Sequence, residues 1–314
     1  MKRWILNILI VIFAGVFLVS AGVLGKYIWD SAAQRRKEQE MALLVDRPQT
    51  RPTPPPETVP PETTVPSASG ETAPSTEPTE PVETEPPYEY EEVVTESGET
   101  VRILKDYAEL FRLNNDLVGW IQIPDTKIDY PVMQTPDSED YYLHRDIYGD
   151  YSRHGTIYVR ESCDVFAPSD NVTIYGHNMK DGSMFGGLMK YKTKGADFYH
   201  HHAYIDLNTL YENARYVIFA ICEVDIRSTQ PDYLPFWQDV RFESAERFSS
   251  YVERARSLSQ LRCSVDVQPG DRLLTLSTCI TSDQNKRLLI MARKLRPDED
   301  EFQLNISVLS ASDR

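Results

Sequence analysis

The sequence predicts a mainly β domain, a barrel or sandwich decorated by helices, behind one membrane-crossing helix and a proline-rich spacer. Three observations carry this. Residues 4–25 contain no charged side chain, and a run of that length crosses a bilayer as a helix at about 1.5 Å per residue. Residues 48–87 hold thirteen of the chain's 21 prolines. Beyond them come many short alternating apolar stretches with few helical ones between, the pattern of a barrel or sandwich.

The apolar run comes first. Lys2 and Arg3 precede it, and Lys26, Arg35, Arg36 and Lys37 follow it, so flanking charge alone does not orient it. It is longer than a signal-peptide core, and no A-x-A-like cleavage site follows. The expectation is an uncleaved anchor: residues 1–3 cytoplasmic, 4–25 spanning, 26–47 juxtamembrane. The rest of the chain then lies outside a single-pass plasma-membrane anchor. One span is too few for a channel or transporter.

Residues 48–100 are expected to be a disordered Pro/Glu/Thr-rich linker. Such a stretch buries too little apolar surface to offset its ordering entropy. Proline favours an extended polyproline II chain, and like charges stretch it further. Its expected role is reach, holding the folded domain away from the membrane. Net charge is -15, and the twelve Glu of residues 52–100, with no Lys or Arg among them, supply about -12 of it. The remainder is close to neutral and forms no basic footprint, so nucleic acid is not an expected partner.

The folded domain is expected over 101–296, with 297–314 a tail. Residues 101–117 read as a helix from the apolar face of Ile103, Leu104, Tyr107, Leu110, Phe111 and Leu113. The period then changes to two. Strands are expected at 119–124, 127–133, 155–159, 171–176, 203–209, 214–224, 271–279 and 287–295. Short helices are expected at 183–191 and 244–258, the second capped by Ser244 with Glu246 in its first turn.

Cys163, Cys222, Cys263 and Cys279 form no CxxC pair and have no His partner at zinc-finger spacing, so no metal site is expected. No cofactor is expected either. The first three read as small buried apolar side chains. The run His200, His201, His202 reads as a solvated loop, because three consecutive histidines cannot all face one ion.

Three places hold candidate chemistry. TLSTC (275–279) ends a strongly apolar strand, so Cys279 falls where the backbone leaves the sheet, rigidly held and reachable. Taken alone, a cysteine there is more often structural. His177 follows a strand and a glycine in IYGHN (174–178). Arg287 opens a strand that would hairpin back beside the cysteine strand. Together they supply what cysteine acyl transfer needs: a thiolate favoured by nearby positive charge, an imidazole to move protons, and a fixed cation for the oxyanion.

These motifs resemble those of the sortase family, and among sortases class B. TLSTC followed by an Arg-led apolar strand resembles the family signature, and YGHN its histidine motif. DLVGWIQIPDTKIDYPVMQ (116–134) and YYLHRDIYGDYSRHGTIYV (141–159) resemble the N-terminal half of class B domains. The resemblance implies a closed, usually eight-stranded β-barrel with an N-terminal helical region and an added helix before the cysteine strand. It implies that Cys279 attacks the Thr carbonyl of a C-terminal sorting motif, forming a thioacyl enzyme. An amine from a peptidoglycan precursor, or a pilin Lys, then resolves it. His177 carries over as acid/base and Arg287 as oxyanion or positioning group. Tyr175, Ser277 and Thr278 carry over as substrate contacts. The implied partners are sorting-motif-bearing surface proteins or pilins. A spacer as long as this one departs from the family pattern. Two rivals stay open: a cysteine peptidase that hydrolyses the same intermediate, and a non-catalytic binding module displayed on a stalk.

Overall fold

The computed structural model describes residues 2–45, 88–135, 137–299, 304 and 306–310. Residues 48–87 of the expected linker lie outside the described residues, as does half of the expected tail. The elements in chain order are α1 (Lys2–Leu43), β1 (Tyr90–Val94), β2 (Thr100–Leu104), α2 (Ala108–Leu113), β3 (Leu117–Gln122), β4 (Asp129–Met133), β5 (Ile157–Val159) and β6 (Asn171–Tyr175). They continue with α3 (Met189–Lys194), α4 (Ala196–His201), β7 (Tyr204–Thr209), β8 (Asn213–Asp225), α5 (Ala245–Leu258), β9 (Leu261–Cys263), β10 (Leu273–Ile280), β11 (Asp283–Lys294) and β12 (Val308–Ser310).

Eight strands close a barrel in the order β10-β11-β8-β7-β3-β4-β5-β6. The expected barrel is therefore the observed one, and closure removes the exposed edges that an open sheet must protect. The parallel pairs are β4 with β5 and β6 with β10. Parallel neighbours need a connection that returns from one rim to the other, so long stretches of chain separate β4 from β5 and β6 from β10.

β10 is buried on both faces from Leu273 to Thr278. That explains its unbroken apolar character: one face meets the barrel core and the other is covered. α5 supplies cover nearby, with Phe248, Tyr251, Val252 and Ala255 buried and the Cys222 thiol donating to the Ala255 carbonyl at 3.1 Å. Burying Phe248 or Val252 contributes about 1.5–3 kcal/mol each relative to exposure. Ser244 caps this helix as expected, accepting from the Arg247 N–H at 3.2 Å. Cys163, Cys222 and Cys263 are buried, each as a free thiol.

Two sequence expectations are corrected. Residues 101–117 do not form one helix: β2 pairs with β1 as a hairpin, a single 3₁₀ turn follows, and α2 covers only six residues. The apolar spacing was read as helical, but Ile103 and Leu104 are buried as part of β2 against Trp120, Tyr107 and Phe111 in a second core outside the barrel. The ordered domain therefore begins with β1, inside the stretch expected to be linker. Second, His200 and His201 end α4 rather than a loop, and His202 stacks on Phe198 with ring centroids 4.0 Å apart.

α1 is long and apolar enough to cross a membrane, and none of its apolar stretch is buried among the described residues. Its second half behaves differently. Ser31, Gln34 and Met41 are buried, and Met41 joins the second core together with Val45, just past the helix end. A reach-setting stalk implies a domain standing apart from the apolar helix, yet the two are packed together.

At the far end of β11, Arg293 is fully buried. Its Nε donates to the Asp266 carbonyl at 2.6 Å and its Nη2 to Glu299 at 2.6 Å. Burial would raise the Glu299 carboxyl, but hydrogen bonds from Arg293 and Arg296 hold it below the usual carboxylate range. Such a group stabilises the fold above its unfolded value near 4.5 and loses that contribution as pH falls through its depressed native value. Glu299→Gln leaves a buried guanidinium with only the more distant Asp271, 3.9 Å from its Nε, as counter-charge and is expected to cost up to about 3–5 kcal/mol. Urea unfolding from pH 7 down to pH 3 checks both statements: the variant's midpoint should fall at pH 7, and its stability loss on acidification should be shallower than wild type.

Candidate active site

The site is built where β6, β10 and β11 end together. β6 runs parallel to β10, with Tyr175 opposite Ser277. The pairing continues past the last strand residue. The Gly176 N–H donates to the Ser277 carbonyl at 3.3 Å, and the Thr278 hydroxyl donates to the Gly176 carbonyl at 2.7 Å. The Asn178 side-chain amide then donates to the Cys279 carbonyl at 2.9 Å and to the Thr281 hydroxyl at 3.2 Å. Residues 175–178 are thus laced alongside 277–281, and His177 is brought level with Cys279. Gly176 is required by packing: a Cβ there would come within 2.5 Å of Ile157 and 2.7 Å of Phe185.

Cys279 is the exposed residue of an otherwise buried run. Its Cα partner on β11 is Arg287, and the ladder bulges just beyond, between Cys279 and Ile280. A bulge at a rim bends the strand and re-aims its side chains. Arg287 donates through Nη1 to the Gln284 carbonyl at 2.7 Å and the Lys286 carbonyl at 3.1 Å. Among the described residues no carboxylate pairs with it, so its charge is held in place without being neutralised.

His177 bonds through Nε2 to the Leu143 carbonyl at 2.8 Å. A carbonyl only accepts, so Nε2 carries the proton and Nδ1 is the basic nitrogen of the neutral ring. The His144 ring stacks on it, centroids 5.3 Å apart. Burial is the main influence on this imidazole and pushes its pKa below the ordinary histidine value. The Leu143 carbonyl opposes that and His144 adds to it.

One cleft of about 420 Å³ joins these groups, lined among others by Tyr175, His177, Ser277, Thr278, Cys279 and Arg287. All six residues singled out from the sequence meet there, though not equivalently. Cys279, His177 and Arg287 bring a thiol, an imidazole and a guanidinium to the cleft. The Thr278 side chain is buried and its hydroxyl is used by Gly176, so it frames the site. The Ser277 hydroxyl is buried with no partner among the described residues. Burial pushes the Tyr175 phenol up to about 12, against the opposing bond from Arg160, so it is a neutral donor at ordinary pH.

The sequence did not single out the remaining walls. Tyr158 donates to Asp140. Arg160 lies 3.4 Å from the Tyr175 hydroxyl and pairs with Glu161 at 3.1 Å. Phe236 and Trp237 form the apolar side. Tyr158 lay within a quoted stretch, but nothing in its spacing marked it. Phe236 and Trp237 come from an irregular segment between β8 and α5, which carries no periodicity to read.

The comparisons with known proteins agree with this geometry. The family model described as "Sortase domain" matches residues 121–295, more than half of the chain. A curated relative, "Sortase B" of Listeria monocytogenes, is 36% identical over 200 residues, covering 63% of this chain and 76% of the relative. The crystal structure of sortase B from Bacillus anthracis in complex with AAEK1 matches with TM-score 0.54 and 31% identity over 62% of this chain and 86% of that one. A Staphylococcus aureus sortase B–substrate complex matches with TM-score 0.55 and 25% identity, over 62% and 87%. The chain belongs to the sortase family of cysteine transpeptidases, and these relatives are of class B.

A thiol and an imidazole that act together from one cleft are expected to give a bell-shaped pH profile. Because burial depresses the His177 side, the acid limb of kcat/KM against pH should fall below the ordinary histidine value. His144→Gln removes one lowering influence and should move that limb upward, measured with a peptide substrate between pH 4 and 10.

Proposed function

We propose that this protein is a membrane-anchored transpeptidase that cleaves a C-terminal sorting motif after Thr and joins the Thr carbonyl to an amine. The observation that carries the reading is the convergence of an exposed thiol, a half-buried imidazole and an unneutralised guanidinium on one cleft at a barrel rim.

The chemistry follows from the groups. The proton of the Cys279 thiol passes to His177 Nδ1, leaving a thiolate and an imidazolium at the cleft. The sulfur attacks the Thr carbonyl carbon, and the C=O pair moves onto oxygen. That oxyanion needs a positive partner which cannot lose its proton, and Arg287 answers that need. Collapse of the adduct breaks the C–N bond, and the departing amine takes its proton from the imidazolium. The thioester remains on Cys279. An incoming amine attacks the same carbon and gives a proton to His177. The thiolate leaves, and a new amide is formed. Atoms and charge balance with no redox partner.

The apolar half of α1 supports a plasma-membrane anchor with the barrel outside the cell. The amine of a peptidoglycan precursor is the acceptor this placement favours, and a pilin Lys is the alternative of the same chemistry. The open cleft, with its aromatic side at Phe236 and Trp237, suits an extended peptide. The S. aureus relative, whose structure is described as a substrate complex, supports the same use of the site.

The test uses the full chain in detergent micelles with fluorogenic peptides bearing different sorting motifs, with and without a glycine or diaminopimelate-type amine. Cleavage after Thr should depend on Cys279 and vanish in Cys279→Ala. Arg287→Ala should lower kcat/KM by about 10²–10³, and His177→Ala by about 10²–10⁴. An amine-linked product is expected. Cleavage indifferent to amines would mean a hydrolase, and an inert Cys279 with no cleavage would mean a binding module.

A further inference from the structure

The C-terminal part of α1 packs along the loop between β4 and β5, and also reaches Tyr130 on β4 and Asp181. The helix residues involved are Tyr27, Ser31, Gln34, Glu38 and Met41, spaced by four, three, four and three. That spacing lies along one helix face. Gln34 accepts from the Ser152 hydroxyl at 3.2 Å. The Arg153 guanidinium stacks over the Tyr27 ring at 5.5 Å. Lys37 forms an ion pair with Asp146, whose carboxylate is nearly fully buried. Asp146 in turn organises the loop, its Oδ1 accepting from the N–H groups of Tyr148 and Asp150, both at 3.0 Å.

The other side of this loop touches the catalytic histidine. The Leu143 carbonyl accepts from His177, and the His144 ring stacks on it. The Ser152 N–H donates to the His144 carbonyl at 3.0 Å, and the Thr156 N–H to the Tyr142 carbonyl at 3.0 Å. One short loop is therefore gripped by α1 on one flank and grips His177 with the other.

We propose that the juxtamembrane half of α1 is a clamp that positions His177, acting through the 141–156 loop. Gln34, Lys37 and Met41 are its positioning residues; none lines the cleft. The proposal rests on the reading of His177 as the acid–base group. Removing Lys37 leaves the Asp146 carboxylate buried without its cation, which loosens the loop where it carries Leu143 and His144. Glu38 supplies a variant of opposite sign. It sits in the seam beside Tyr130, near Asp181 and Arg35. Burial pushes its carboxyl up to about 7, against the Gln34 hydrogen bond, with Asp181 raising and Arg35 lowering it. At pH 8 its charge opposes docking, and Glu38→Gln removes that opposition.

The experiment uses the full chain in lipid nanodiscs, as wild type, Lys37→Ala and Glu38→Gln. Two quantities are read: hydrogen exchange of the amides of residues 146–152, and the pH dependence of Cys279 alkylation by iodoacetamide. Alkylation reports the thiol–imidazole pair without any peptide substrate, so a failure to cleave sorting motifs would count against the proposed function and not against the clamp. In Lys37→Ala, exchange over 146–152 should rise about tenfold or more, and the acid limb of the alkylation profile should shift. In Glu38→Gln at pH 8, exchange should slow below wild type, a result that misfolding cannot produce. Unchanged exchange in both variants overturns the docking. Faster exchange with an unmoved alkylation profile overturns the positioning role.

Discussion

The site depends on the parallel pairing of β6 with β10. That pairing closes the barrel. It also carries the two chemical motifs past the strand ends in matched register, so that Gly176 meets Ser277 and Asn178 meets Cys279. Parallel strands cannot be joined by a tight turn. The chain between them therefore travels about a hundred residues through α3, α4, β7, β8 and α5. A cysteine and a histidine far apart in sequence become neighbours because both follow the last rung of one ladder. Rigid placement of this kind matters because acyl transfer loses rate steeply when reacting groups drift by an ångström.

Two guanidinium groups face the cleft, and their surroundings separate their roles. Arg160 has Glu161 and Glu139 beside it and the Tyr175 hydroxyl on its fork. Its charge is largely answered before any substrate arrives. Arg287 is held by two backbone carbonyls, which fix its direction and leave its net charge in place. A developing oxyanion gains most from a cation that is ordered and not already compensated. This favours Arg287 for the reaction and leaves Arg160 to shape the wall. The depressed His177 has a matching consequence. Burial favours the neutral ring, so in the proposed reaction an imidazolium at His177 would be held weakly and would yield its proton readily to a leaving amine.

The sequence was most legible where one rule dominates. β10 and β11 read as strands because long apolar runs bounded by polar ends have few alternatives, and Ser244 announced α5 through its cap. The motif at 275–279 mattered because Cys279 ends such a strand. Legibility failed where two rules compete. Ile103, Leu104, Tyr107, Leu110 and Phe111 fit a helical stripe, but strand β2 takes the first two by pairing with β1. β1 itself hid in a Glu-rich stretch whose composition resembles the spacer before it. The cleft walls at Arg160, Phe236 and Trp237 come from loops, where position follows from tertiary packing and not from local pattern. The seam on α1 was invisible for a different reason: its contact face is Gln34, Lys37 and Glu38, which reads as a solvated surface until Asp146 and Ser152 are placed against it.

That polar seam also bears on what the spacer does. A helix tied to a domain by a connecting chain meets it at an effective concentration on the order of millimolar. An intrinsic contact worth about 4 kcal/mol corresponds to a dissociation constant near 1 mM, so a seam of that strength is about half closed, and a stronger one stays shut. Burial of Met41 offers about 1.5–3 kcal/mol, and the Gln34–Ser152 hydrogen bond about 1. The Lys37–Asp146 pair adds to these, because half of it is already committed to a buried carboxylate. The partly buried Glu38 works against them. In the arrangement described, the barrel sits beside the end of the apolar helix, and the 141–156 loop that touches His177 has that helix on its outer flank.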